Sequence, residues 1–200
     1  MRVGLVVFEQ VDLLDVGGPY EVFLTASRLE VRDGGEPSFD VVTVGLTRGP
    51  VTAYGGLRLT PRFAIHDAGP LDLLVIPGAI DIDEVLADDA LMQAVGAAAE
   101  RAQTVASVCT GAFVLGRLGW LDGRRWTTHW EDVEELARRT AGTGEAWVRW
   151  VDEGVVVTAG GLSSGIAMAL HLVDRFAGRD LAVRTARQIE YDWDPQFSTP

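Results

Sequence analysis

The chain has a single cysteine, Cys109, among its 200 residues. One thiol cannot close an intrachain disulfide, and no Cys/His spacing suggests a zinc site. Basic residues are few as well: 17 Lys and Arg stand against 29 Asp and Glu, for a net charge of −12. That balance argues against a nucleic-acid surface. No stretch approaches the roughly 20 apolar residues of a membrane span. The opening run Met1-Arg-Val-Gly-Leu-Val-Val-Phe8 is too short for a signal-peptide core, and it meets Glu9 with no small-residue cleavage site behind it. A reducing, cytoplasmic setting is therefore expected. Internal repeats, low-complexity segments and linkers are also lacking, so residues 1–200 are expected to form one domain.

What is present is enough apolar material, 48%, for one good core. Val3 to Phe8, Phe39 to Val44, Leu71 to Ile76 and Thr104 to Val108 read as strands, several of them apolar on both faces. Helices are expected from about Pro19, which suits a first helical position, and after Asp89, which can cap. Further helices are expected at Glu131–Arg139, Leu162–Phe176 and Leu181–Tyr191. Val51–Tyr54 and Leu57–Leu59 suggest a small hairpin, and Ala146–Val151 with Gly154–Thr158 suggest two more strands. Strands alternating with helices imply an α/β fold: a mostly parallel central sheet with helices on both faces. Sites in such folds gather at the carboxyl ends of strands, here after Phe8, Ile76 and Val108.

Cys109 follows one of these ends directly, and Thr110 to Gly116 reads as a helix opening. A cysteine on a sharp strand-to-helix turn is lifted toward the mouth of a pocket. The free amides at the start of the next helix would favour thiolate over thiol, so an apparent pKa below about 8.5 is expected. The alternative is a small buried hydrophobe. Asp15 precedes a helix and can cap it, and Thr110 can cap the helix after the turn.

Several segments together resemble the ThiJ/PfpI superfamily, relatives of the class I glutamine amidotransferases, and within it the isocyanide hydratase branch. They are Phe8-x-x-Val11-x-x-Leu14-Asp15-x-x-Gly18-Pro19 with Glu21-Val22-Phe23, then Val75-Ile76-Pro77-Gly78, then Val108-Cys-Thr-Gly111 through Leu115-Gly116. Leu121-x-Gly123, Thr127-Thr-His-Trp130, Thr158-Ala-Gly-Gly161 and Ser163-Ser-Gly165 follow. Glu190-Tyr-Asp192, with Pro195 and Phe197, closes the series. The resemblance implies a flavodoxin-like three-layer sandwich, usually a homodimer, with Cys109 as nucleophile. It implies an aspartate on the first strand-helix loop facing the sulfur, which Asp15 matches, and a threonine after the cysteine, matched by Thr110.

These residue types suit isocyanide hydration. A cysteine adds to the isocyanide carbon while a nearby acid gives or takes the proton. Water then attacks the thioimidate and an N-formamide leaves. No metal or organic cofactor is needed. Substrate contacts are expected at Gly78, Ala79 and His129. The resemblance implies an oxyanion donor at the second residue after Pro77, but the Ala79 Cβ restricts positive φ and with it the aim of that amide. His129 is expected as a hydrogen-bonded residue beside the site or dimer face rather than as a base. His66 is expected at the surface and His171 packed. Asp81 and Asp83 either face the site, favouring a neutral substrate, or face solvent.

Other functions in the superfamily fit less well. A PfpI-like amidase or peptidase carries histidine after the nucleophile, where this chain has Thr110. The ligand-sensing half of a transcription regulator would be joined to a helix-turn-helix domain, which residues 1–200 do not contain. Glyoxalase- or deglycase-like action and redox sensing expect a glutamate beside the cysteine, and Glu21 falls inside a helix. The tryptophans, Trp120, Trp126 and Trp130 among them, are expected in core and interface packing.

Overall fold

In this computed structural model residues 1–194 are described. Pro195 and Phe197, the end of the motif series, lie outside the described residues. The chain runs β1 (Arg2–Val6), α1 (Leu13–Arg32), β2 (Asp40–Gly45), β3 (Val51–Thr52), β4 (Arg58–Leu59), β5 (Phe63–Ala64) and β6 (Leu73–Ile76). It continues through α2 (Ile82–Leu86), α3 (Asp89–Ala99), β7 (Thr104–Val108), α4 (Gly111–Arg117), β8 (Arg125–Trp126) and α5 (Val133–Ala137). The last elements are β9 (Thr143–Gly144), β10 (Trp150–Asp152), β11 (Val156–Ala159), α6 (Ser164–Ala177) and α7 (Arg179–Gln188).

Seven strands form the central sheet in the order β10-β11-β7-β6-β1-β2-β5. All neighbours are parallel except β10 on β11 at the edge. β6 and β7 are buried at every residue, as two-sided apolar strands in a covered sheet must be. Helices α1, α6 and α7 pack together on one face, and α2, α3 and α4 form the opposite layer with α5 against α4. The three-layer flavodoxin-like sandwich expected from the sequence is what forms. Among the described residues no helix is long and apolar enough to cross a membrane.

Glycines let α1 and α6 meet beneath the end of β7. A Cβ on Gly18 would stand 2.9 Å from Ile166 Cγ1, and one on Gly165 would stand 2.9 Å from Val108 Cγ1. The Pro19 ring packs there too, 3.4 Å from the same Gly165 position.

Several boundaries differ from expectation. Helix α1 starts at Leu13, not Pro19, because the Asp12 carboxylate accepts the Leu14 N–H at 3.1 Å and supplies the cap. Pro19 therefore sits inside α1, where it lacks the N–H that would have reached the Asp15 carbonyl. Asp88 rather than Asp89 caps α3, accepting the Leu91 N–H at 3.0 Å. Helix α5 is shorter than Glu131–Arg139, since Leu136 alone is buried and little holds its ends. The strand expected at Ala146–Val151 shrinks to β10, because Trp147 takes a left-handed φ of 62°. Helix α2 and the strands β5, β8 and β9 carry too little periodic sequence to be anticipated.

Candidate active site

Loops after β1, β6 and β7 converge at the carboxyl edge of the sheet. The first two are stitched together: Val11 and Ala79 form an antiparallel bridge, and the Asp12 N–H donates to the Gly78 carbonyl at 2.9 Å. Cys109 sits on the third with φ of 55°, the sharp turn expected of a nucleophile elbow. Its N–H is shared between the Ala159 and Gly160 carbonyls at 3.2 and 3.0 Å, and its carbonyl accepts from Thr128 Oγ1 at 2.8 Å. Gly111 is required by this turn. A Cβ there would run into the Ile76 carbonyl oxygen and stand 2.8 Å from that of Pro77.

Asp15 lies in the first turn of α1, not on the loop before it, and is fully buried. It does not cap the helix, since Asp12 does. Its Oδ2 accepts the Gly78 N–H at 3.0 Å, while Oδ1 is buried without a hydrogen-bond partner. Burial pushes the Asp15 carboxyl up to about 7, against the pull of the Gly78 N–H. The Leu162 N–H and the Cys109 thiol also favour its charged form, although neither makes a full hydrogen bond to Oδ1.

The electrostatics of Cys109 run against expectation. Burial first, and the Asp15 charge second, push its thiol up to about 12. The Thr110 and Leu162 N–H groups act the other way but do not prevail. α4 is only seven residues long, so its dipole is weak beside the desolvation of a side chain 9% exposed. The resting sulfur is a thiol facing a carboxyl that titrates near neutrality.

Thr110 makes no side-chain cap to α4. Its hydroxyl instead accepts the Ala79 N–H at 2.9 Å and donates to the Ala79 carbonyl at 2.8 Å. The Ala79 amide is thereby committed to Thr110, and the Gly78 amide to Asp15, so neither is a free oxyanion donor. Leu162, at φ of 47°, turns its N–H toward Asp15 and Cys109 instead. No sequence signal marks that role, because leucine seldom adopts the left-handed region.

A cavity of about 250 Å³ opens over Cys109 and Thr110, with Ala79, Ile80, His129 and Leu162 among its walls. Gly78 is not one of them. Asp12, Glu131 and Asp132 rim the cavity and no Lys or Arg does, so the field at its mouth repels anions. His129 Nδ1 faces acids, 3.5 Å from Asp132 Oδ2 and 3.7 Å from Glu131 Oε2. Of the two placements open for Asp81 and Asp83, the structure takes the one away from the site: Asp81 caps α2, and the exposed Asp83 pairs with Arg139 at 2.6 Å. His66 is exposed, and His171 is half-buried against Asp152 at 2.8 Å. A larger cavity of about 340 Å³, between the β1–α1 loop and α2, does not reach Cys109. Among the described residues no three His, Cys, Asp or Glu side chains cluster as a metal site would require.

Comparison with known proteins agrees with this fold. The DJ-1/PfpI family matches residues 1–175. The chain is 34% identical over 199 residues to an isonitrile hydratase of Pseudomonas putida, covering 100% of this chain and 82% of that protein. It is 25% identical over 193 residues to the HTH-type transcriptional regulator GbdR of Pseudomonas aeruginosa, covering 95% of this chain and 50% of the regulator. Among solved structures, a ThiJ/PfpI family protein from Pseudomonas syringae superposes with a TM-score of 0.84 at 24% identity, over 100% of this chain and 81% of the other.

Proposed function

We propose that this chain, which belongs to the DJ-1/PfpI family, is a cysteine-dependent hydratase that converts an isocyanide to an N-formamide. The observation that carries the reading is the buried Asp15 carboxyl, with Oδ1 unpartnered and its pKa near 7, set against the Cys109 thiol. A carboxyl so tuned can take and return a proton at neutral pH. The likeness to the Pseudomonas putida isonitrile hydratase supports the substrate class. The acid-rimmed mouth suits a neutral substrate.

In this mechanism the S–H proton passes to Asp15 as sulfur bonds the terminal isocyanide carbon. Asp15 then delivers that proton to the carbon, leaving R–N=CH–S–Cys109. Water adds to this thioimidate, giving one proton to Asp15, which passes it to nitrogen. The C–S bond breaks, R–NH–CHO leaves, and the last hydroxyl proton returns to sulfur. Thr110 holds Ala79 in place and the Leu162 N–H steadies negative charge on sulfur or carboxylate.

Incubation with a simple isocyanide should yield the N-formamide, and Cys109→Ala and Asp15→Asn should each abolish turnover. Full activity in either variant would refute the mechanism. A second reading, ligand sensing, has the GbdR match in its favour. It predicts saturable binding of an isocyanide or formamide with no product.

A further inference from the structure

The cavity over Cys109 has a neighbour. A second cavity of about 280 Å³ shares two of its walls, His129 and Leu162. Part of its lining is a pair of stacked indoles, Trp130 and Trp147, with centroids 5.1 Å and planes 20° apart. Trp130 is 51% exposed and Trp147 is 64% exposed. Single apolar side chains at a surface are ordinary, but two stacked indoles beside a reactive thiol form a patch. Trp147 also keeps a left-handed φ of 62°, which a bulky side chain rarely adopts. His129 continues the aromatic wall, its ring 5.7 Å from Trp130. It lies so close over Gly161 that a Cβ there would collide with the ring.

Charge separates the two cavities. The first is rimmed by three carboxylates, Asp12, Glu131 and Asp132. The second has no Asp, Glu, Lys or Arg in its lining. The start of α6 offers it no anion cradle, because the Ser164 and Gly165 N–H groups are bonded to Gly161 and Leu162 carbonyls at 3.1 and 3.0 Å. Its uncharged lining and stacked indoles suit a neutral, flat group, with Thr128, Ser163 and Ser164 as the polar side chains beside them.

We propose that the second cavity receives the N-substituent of the substrate, so that isocyanides bearing an aromatic or similarly broad apolar group are preferred. Trp147 and Trp130 set that preference by stacking. The isocyanide carbon reaches Cys109 past His129 while the substituent rests on the indoles. This inference rests on the hydratase reading.

Two measurements on the full chain test it. The ratio of kcat/KM for benzyl isocyanide to that for methyl isocyanide should fall about ten-fold in Trp147→Ala, mainly through KM, with partial recovery in Trp147→Phe. An unchanged ratio overturns the proposal. Calorimetry with N-benzylformamide and N-methylformamide needs no turnover: the aromatic amide should bind about ten-fold more tightly, and Trp147→Ala should erase the difference. Equal binding to the parent overturns the subsite. If the binding preference holds but no isocyanide is hydrated, the aromatic subsite stands and the hydratase reading falls. A dimer that dissociates on Trp147→Ala in sedimentation assigns the indoles to contact with a second copy, and overturns the proposal.

Discussion

Thr110 Oγ1 accepts the N–H of Ala79 at 2.9 Å and donates to the carbonyl of the same residue at 2.8 Å. One hydroxyl thus satisfies both backbone groups of a residue that is 3% exposed. It also ties the loop after β6 to the turn that carries Cys109. Thr110→Val keeps the shape and removes the hydroxyl, leaving a donor and an acceptor buried without partners. Such groups cost about 1–3 kcal/mol each, so the urea midpoint should drop by the equivalent of roughly 2–6 kcal/mol. Thr110→Ser, which keeps the oxygen, should recover most of the loss. A valine variant with the parent midpoint would show that the hydroxyl holds nothing.

Asp15 makes stability depend on pH in a defined direction. Its carboxyl has an ordinary value of 3.8 and is raised to about 7 in the fold. Between those values the folded state keeps a proton that the unfolded state has released, so stability falls as pH rises. The contribution is fully present below 3.8 and lost above about 7. Asp15→Asn stays neutral and can still accept the Gly78 N–H. Its stability relative to the parent should therefore grow from pH 4 to pH 8, by on the order of a few kcal/mol. Chemical denaturation of both proteins at a series of pH values measures the difference. A gap that stays constant or narrows toward pH 8 would refute the assignment.

The architecture was legible because its signals are periodic and long. The short runs at Leu73–Ile76 and Thr104–Val108 read as strands inside a covered sheet, are buried at every residue in the structure, and place Cys109 at a strand end. Cys109 could be named because it has a reactive side chain at a strand end, whereas Asp15, inside α1, and Thr110 were named through the family resemblance. The rest of the site is backbone. The Leu162 N–H, the Gly78 N–H and the turn at Cys109 depend on φ values and on contacts between residues distant in sequence. The thiol's pKa departs from expectation for a related reason. A short helix dipole can be read locally, whereas desolvation by three converging loops cannot. Trp147 carries no signal of its strained backbone, and it is that backbone which ends the expected strand.

Gly111 gives a sharper structural prediction than the side chains around it. Its α-carbon is pressed against the ends of β6, with the Pro77 carbonyl oxygen 2.8 Å from where a Cβ would stand and the Ile76 oxygen nearer still. These neighbours are main-chain atoms of a buried strand and cannot rotate away. Gly111→Ala should therefore displace the elbow. We expect a loss of more than about 3 kcal/mol in stability, or failure to accumulate as folded protein. Gly119→Ala is an internal comparison, because nothing lies within 4 Å of where its methyl would stand and the strain there comes only from a φ of 79°. Equal losses at the two sites by thermal denaturation would mean that the carbonyl contact is unimportant.

Alkylation of Cys109 separates two views of Asp15. If Asp15 acted as a base that keeps the sulfur ionised, replacing it would slow the reaction with iodoacetamide. The electrostatics predict the reverse. After burial, the Asp15 charge is the largest cause that raises the thiol toward about 12, so Asp15→Asn should lower that value and speed alkylation. The effect must itself depend on pH, because Asp15 is charged mainly above about 7. Rates for parent and variant should converge below that point and separate above it, with the variant several-fold faster by pH 9. The parent's rate should go on rising between pH 8 and 11 without a plateau, as only the thiolate reacts. Turnover should be lost in the same variant that alkylates faster, because Asp15 is needed to carry the proton and not to form the thiolate. A slower Asp15→Asn variant, or a parent rate that levels off near pH 7, would replace this account with one in which the sulfur rests as a thiolate.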